Sequence, residues 1–155
     1  MKIYFQKLIP DAVIPTRATR QSAGFDLSLC GQQPVTIQPG ETVMIHTGVA
    51  VVLPEGTAGM VYPRSGLASK HGLALANCVG VIDSDYRGEL MVPLYNHSGE
   101  AYTVSPGERV AQMVVTPVLL PEVEEIPAGK QLPESERGTG GFGSTGKTAG
   151  GENAK

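Results

Sequence analysis

Apolar and β-branched residues in this chain gather in short runs, and turn formers separate them. The runs TVMIHTGVAVVL (42–53), TAGMVY (57–62), LMVPLYNH (90–97) and RVAQMVVTPVLL (109–120) are punctuated by QPGE, LPEG, HSGE and SPGE. SAGFDLSL (22–29) reads as a half-apolar strand interrupted by Asp26, and NCVGVIDSDYRGEL (77–90) as a buried strand running into a polar turn with Asp83, Asp85, Tyr86 and Arg87. Many short strands with a turn signal between each pair predict an all-β sandwich or barrel. A single short helix is expected within PRSGLASKHGL (63–73), where Ser65 would be the N-cap, Lys70 and His71 the last turn, and Gly72 the C-terminal cap.

Composition narrows this picture at the C-terminus. From Pro127 onward the chain holds 8 of its 20 glycines and, as large apolar residues, Leu132 and Phe142. Such a segment buries too little surface to offset its ordering entropy. The expected organisation is therefore a β-domain over 1–126 and a glycine-rich arm over 127–155 that is mobile until something binds. At 155 residues one domain is the prior.

Charge and chemistry exclude several classes. Twelve basic against fifteen acidic residues leave a net charge of −3, with no block of Lys or Arg, so no polymeric nucleic acid is expected as partner. No apolar run approaches the roughly 18 residues of a membrane span, and Lys7 and Asp11 interrupt the N-terminal segment, so the expectation is a cytoplasmic protein without membrane contact. Cys30 and Cys78 form no C-x-x-C, and His46, His71 and His97 lack zinc-ligand spacing.

Residues 141–148, GFGSTGKT, match the phosphate-loop pattern G-x-x-x-x-G-K-[ST] letter for letter. That pattern needs a strand before it and a helix after it, so that backbone N–H groups converge on the phosphates. AGKQLPESERGTG upstream and AGGENAK downstream are neither, so a phosphate-loop NTPase is rejected. A second anion site suggests itself at Arg64, Ser65 and Gly66, where a guanidinium and a hydroxyl meet the start of the expected helix.

Five segments, AGFDLS, PRSGLA, NCVGVIDSDYRGEL, GERVAQMV and RGTGGFGSTG, in this order and at these distances closely resemble the five motifs of the trimeric dUTP diphosphatases (dUTPases). The resemblance spans Ala23 to Gly146. It implies an all-β, distorted jelly-roll barrel with one short helix, a homotrimer whose active sites are shared between subunits, dUTP as substrate and Mg²⁺ as cofactor. By the same resemblance Asp83 would be the general base, Tyr86 would pack on the deoxyribose, and Asn77 with the backbone through Val81 and Ile82, faced by Met91, would read uracil. Arg64, Ser65, Gly66 and Gln112 would hold phosphates from a second subunit. Asp26 would reach Mg²⁺ through water, the ion riding mainly on the triphosphate. Within the arm, Phe142 would stack on uracil while Arg137, Gly143 and Ser144, with Thr145, bind phosphates. Cys78 departs mildly from the bulkier apolar residues frequent at its position. A dCTP deaminase or bifunctional relative of the same fold, and a non-catalytic nucleotide-sensing β-trimer, are the alternatives. GVIDSDYRG disfavours the first, and Asp83 together with a full arm disfavours the second.

Overall fold

A computed structural model describes residues 1–141, and eleven strands and one helix occur among them. In chain order these are β1 (Tyr4–Lys7), β2 (Phe25–Ser28), β3 (Val35–Ile37), β4 (Thr42–His46), β5 (Val49–Val52), β6 (Thr57–Pro63), α1 (Ser65–His71), β7 (Leu73–Leu75), β8 (Gly80–Ile82), β9 (Met91–Asn96), β10 (Tyr102–Val104) and β11 (Arg109–Pro117). All pairings are antiparallel and most join strands distant in sequence: β1 with β5, β3 with β10, the sheet β2-β11-β6-β8 and the sheet β4-β9-β7. Antiparallel strands that return over long connections in this way give the jelly-roll pattern. The chain divides into two units, Met1–Leu120 with every strand and Pro121–Lys155.

Alternation along the strands builds the core of the first unit. Leu27, Ile45, Val92, Leu94, Val110 and Met113 point inward and are fully buried, each contributing about 1.5–3 kcal/mol by leaving water. Four polar residues, Ser28, Thr47, Thr57 and Asn96, are buried with them. Asn96 is 0 % exposed and uses its whole amide: Nδ2 donates to the Ile37 and Glu100 carbonyls (3.0 and 2.7 Å), and Oδ1 accepts from the Ser98 backbone and hydroxyl (2.9 and 2.7 Å). No buried side-chain polar atom among the described residues lacks a partner.

Four expectations need correction. The run 42–53 is two strands, because the chain breaks at Thr47 and Gly48. Gly48 has φ +67°, and a Cβ there would come within 3.0 Å of Cys30, Ile9 and Ala12, so only glycine allows the corner. Ser65 does not cap α1. Arg64 is the N-cap residue, with extended geometry and no side-chain cap bond, because β6 runs through Pro63 and the chain turns one residue later. Gly72 does take the left-handed C-terminal position, at φ +66°, with Lys70 and His71 in the last turn. The strand in 77–90 is not buried: β8 is the edge of its sheet and Val81 is 60 % exposed. Finally, the run 109–120 is strand only as far as Pro117, and Leu119 and Leu120 are exposed.

In the second unit, residues 121–141 are exposed throughout. Gly138 N–H bonds to the Ser135 carbonyl and Gly140 N–H to the Arg137 carbonyl (3.0 and 3.1 Å), placing Arg137 in a local turn. Phe142, Gly143 and Ser144, together with Thr145 and Lys147, lie outside the described residues.

Candidate active site

The expected site residues of the first unit fall in two clefts that share no residue. The first, about 170 Å³, is lined by Asp26, Arg64, Ser65, Gly66, Arg109 and Gln112, among others. Strands β2, β6 and β11 bring these together, since Asp26 pairs with Gln112 and Gln112 with Tyr62. The Asp26 carboxylate receives two guanidiniums: Arg64 Nε at 3.3 Å and Arg109 Nη1 at 2.9 Å. Arg64 Nη1 also donates to the Arg109 carbonyl (3.1 Å). Two cations on one carboxylate leave the cleft with a surplus positive charge beside the first turn of α1, an arrangement that attracts an anion. Gln112 Nε2 donates to the Pro63 carbonyl (3.1 Å), and its Oε1 lies 2.5 Å from where a Cβ on Gly24 would sit, so the glycine of AGFDLS is what lets this side chain pass.

Arg109 is a site residue that the sequence reading passed over. The signal available was its place in GERVAQMV, three residues before Gln112. Its direction is set by a register shift in the β2–β11 ladder between Arg109 and Ala111, and such bulges re-aim side chains.

The second cleft, about 280 Å³, is lined by Met44, Asn77, Val81, Ile82, Asp83, Tyr86, Glu89, Met91 and Pro93. Its walls come from different sheets. β8 hydrogen-bonds to β6, while β9, which carries Met91, belongs to the sheet of β4 and β7. Cys78 adopts φ +63°, an uncommon conformation for a residue with a side chain. It is held there by its N–H on the Leu75 carbonyl (3.0 Å), and Val79 N–H closes on the Asn77 carbonyl (2.7 Å). This turn leads directly into the backbone at Val81 and Ile82. Asp83 is exposed and makes no side-chain hydrogen bond among the described residues, so its carboxylate is available to a water. Its carbonyl accepts Tyr86 N–H (3.1 Å), which closes the turn. Arg87 folds back onto that turn through the Ser84 and Tyr86 carbonyls (2.8 Å each). Asp83 also borders a larger open depression that combines Glu55, Asp85 and Arg87 with the apolar Leu53, Val81, Val118 and Leu120.

Glu89, also unassigned from sequence, sits under the second cleft. Burial pushes its carboxyl upward, but the bonds from His46 Nδ1 (2.9 Å) and Gly48 N–H (2.7 Å) outweigh this and hold it below the usual carboxylate range. No group of three His, Cys, Asp or Glu side chains among the described residues could hold a metal ion. Asp26, engaged by two arginines, suits contact with a hydrated ion better than direct ligation.

An antiparallel jelly roll with a cationic cleft at a helix start and a separate cleft combining a polar backbone wall, an aromatic ring and a free carboxylate defines a nucleotide-handling β-protein with hydrolytic equipment. Comparison with known proteins makes the class specific. The family model described as dUTPase matches residues 11–146. The chain is 50 % identical over 147 residues to the deoxyuridine 5′-triphosphate nucleotidohydrolase of Hahella chejuensis, covering 94 % of this chain and 95 % of that one. Among solved structures it resembles the dUTPase of Staphylococcus bacteriophage 80alpha in a form with dUpNHpp, at a TM-score of 0.83 and 29 % identity over 94 % of this chain and 99 % of that one. It also resembles a dUTPase from phage phi11 of S. aureus in which a structural Mg(II) ion is coordinated, at a TM-score of 0.74 and 27 % identity over 83 % and 99 %. The chain belongs to the dUTPase family. No helix among the described residues is long and apolar enough to cross a membrane.

Proposed function

We propose that this protein hydrolyses dUTP to dUMP and pyrophosphate, with each active site assembled from the two clefts of different subunits in a homotrimer. The observation that carries the reading is the unengaged carboxylate of Asp83 in a cleft that also presents Tyr86 and the 77–82 backbone wall. Asp83 takes a proton from a water as that water attacks the α-phosphorus, and the pyrophosphate leaves from the opposite side. The polar backbone from Asn77 to Ile82 reads the uracil edge, and its rigidity rejects the thymine methyl and the cytosine amine, which would leave a buried polar group unpaired. Tyr86 closes the sugar pocket against a 2′-hydroxyl.

Arg64, Ser65, Gly66 and Gln112 bind the phosphate chain. When bound, Mg²⁺ supplies charge neutralisation on the triphosphate oxygens, and Asp26 reaches its water shell. Arg137 and the Phe142–Thr145 segment close over the nucleotide. Both clefts border the sheet β2-β11-β6-β8, which supports sharing between subunits. Asp26, Gln112 and Tyr62 pair across one face of β2, β11 and β6, and Met60, Val114 and Val81 continue the same face to β8. An apolar band thus separates two incomplete sites, which is what an interface between copies needs. This product chemistry removes dUTP from the pool available to DNA synthesis and supplies dUMP for thymidylate formation.

Pyrophosphate release measured across the dNTP and NTP panel, with ammonia release from dCTP followed in parallel, tests the reading. The expected result is release from dUTP alone. Ammonia production from dCTP would replace it with the deaminase.

A further inference from the structure

We propose that Glu89, held by His46 and Gly48, is a positioning residue that sets the Tyr86 ring and thereby the discrimination between deoxyribose and ribose. The proposal rests on the reading of Tyr86 given above. Tyr86 is not held by core packing: its ring is exposed, and its hydroxyl donates to the Glu89 carbonyl at 3.0 Å. The ring lies directly over Gly88, where an added Cβ would sit 2.6 Å from Cζ and 3.0 Å from Cε2. Any side chain at 88 would push the ring off this position.

The ring is thus only as fixed as the backbone of residues 88–90. Four bonds fasten that backbone to the β4–β5 corner. Glu89 Oε1 accepts Gly48 N–H (2.7 Å), and Glu89 Oε2 meets His46 Nδ1 (2.9 Å). Leu90 N–H donates to the Val49 carbonyl (2.8 Å), and the Leu90 carbonyl accepts the buried Thr47 hydroxyl (2.5 Å). The two bonds through Leu90 and its burial keep the strand start in place. The two through Glu89 act one residue nearer to Tyr86, on the very residue whose carbonyl receives its hydroxyl. With the Glu89 side chain removed, the Leu90 N–H bond still pins the 89–90 peptide that carries the acceptor carbonyl, but the 88–89 peptide and the Gly88 surface beneath the ring lose their anchor, and the ring tilts with them. A displacement that would barely alter the contact with a deoxyribose opens the space that a 2′-hydroxyl requires.

The test compares kcat/KM for dUTP and for UTP, by pyrophosphate release, in the full-length parent, Glu89→Ala, Glu89→Gln, Gly88→Ala and Tyr86→Ala. Glu89→Ala is expected to raise the UTP-to-dUTP ratio about tenfold, the equivalent of about 1.4 kcal/mol of lost discrimination, while kcat for dUTP changes much less. Glu89→Gln restores the parental ratio, since its amide oxygen still accepts Gly48 N–H and its nitrogen can donate to a neutral His46. A purely structural role would lower both substrates together and leave the ratio still. Gly88→Ala displaces the ring without touching the Glu89 clamp. It is expected to raise the ratio likewise; should Glu89→Ala not fold, His46→Ala, which removes one of the two Glu89 bonds at an exposed side chain, carries the test of the clamp and is expected to raise the ratio in the same direction. An unchanged ratio in Glu89→Ala, with Gly88→Ala or Tyr86→Ala shifting it, overturns the clamp and leaves the reading of Tyr86 intact. An unchanged ratio in Tyr86→Ala overturns both.

Discussion

At the scale of single residues, this protein sets a free carboxylate against engaged ones. Asp26 receives two guanidiniums and Glu89 two hydrogen bonds, whereas Asp83 stands exposed at its cleft and unengaged among the described residues. Charge-assisted partners fix the first two in place. The third stays available to a water. Asp83→Asn should therefore retain binding of a non-hydrolysable dUTP analogue by titration calorimetry while single-turnover rates fall about 10²- to 10⁴-fold; parental turnover in that variant would remove Asp83 from the mechanism. Away from the site, burial and a 2.6 Å hydrogen bond to Glu108 push the Tyr102 hydroxyl up to about 12. Its folded value lies above the ordinary 10.0, so the neutral phenol favours the native state. That contribution is complete below pH 10 and is lost as pH rises towards 12. Urea midpoints measured across this window should fall more steeply with pH in the parent than in Tyr102→Phe.

Among the elements, α1 shows how a seven-residue helix is held in a mostly β-structure. One buried residue, Leu67, anchors it. Its C-terminus is closed by Gly72, whose N–H reaches the Ala68 carbonyl at 3.1 Å and whose left-handed backbone turns the chain into β7. A Cβ at this position would also lie 3.0 Å from the Ser98 backbone nitrogen. Gly72→Ala should therefore destabilise by about 1–2 kcal/mol, and thermal melts should show a lower Tm at unchanged pH. Because α1 begins at the cationic cleft, the same variant should raise KM for dUTP more than it lowers kcat.

On the scale of the whole molecule, the proposed sharing of the two clefts between subunits would make assembly part of catalysis. If each site takes Asp83 from one subunit and its arm from another, mixing an Asp83→Ala chain with a chain ending at Leu132 should regenerate activity that neither possesses alone. Pyrophosphate release after co-refolding, read with sedimentation, checks this; a fully active monomer would contradict it. The chain ending at Leu132 should remain folded by thermal melt, because residues 121–141 are exposed throughout and the strands all lie within Met1–Leu120. Within the arm, Phe142→Ala should cost about 1–3 kcal/mol in kcat/KM if its ring stacks on the base, and Lys147→Ala should cost little. The reverse order would show that the phosphate-loop-like residues act as a true phosphate loop.

The sequence by itself determined the β-class, the short helix with its Gly72 end, the family and the motifs that contribute Asp26, Arg64, Asn77, Asp83, Tyr86 and Gln112 to the two clefts. These are properties of local pattern: β-branched runs, turn formers, and five motifs whose spacing is carried by the chain. Tertiary structure decided what depends on partners far apart in sequence. Gly48 splits one apolar run into β4 and β5 because Cys30, Ile9 and Ala12 crowd the corner, and no property of the run announces them. β8 is an edge strand, so an apolar triplet that reads as buried exposes Val81. Strands as short as β3 and β10 offer three residues each, too few for a period to register, and exist because they pair with one another across 64 intervening positions (Ile37 against Tyr102). Arg109 joins Asp26 only through a bulge in a ladder between the second strand and the last, and Glu89 finds His46 and Gly48 over some forty residues. A motif preserves the residues that chemistry needs, but the bonds that aim them form only when the sheets close.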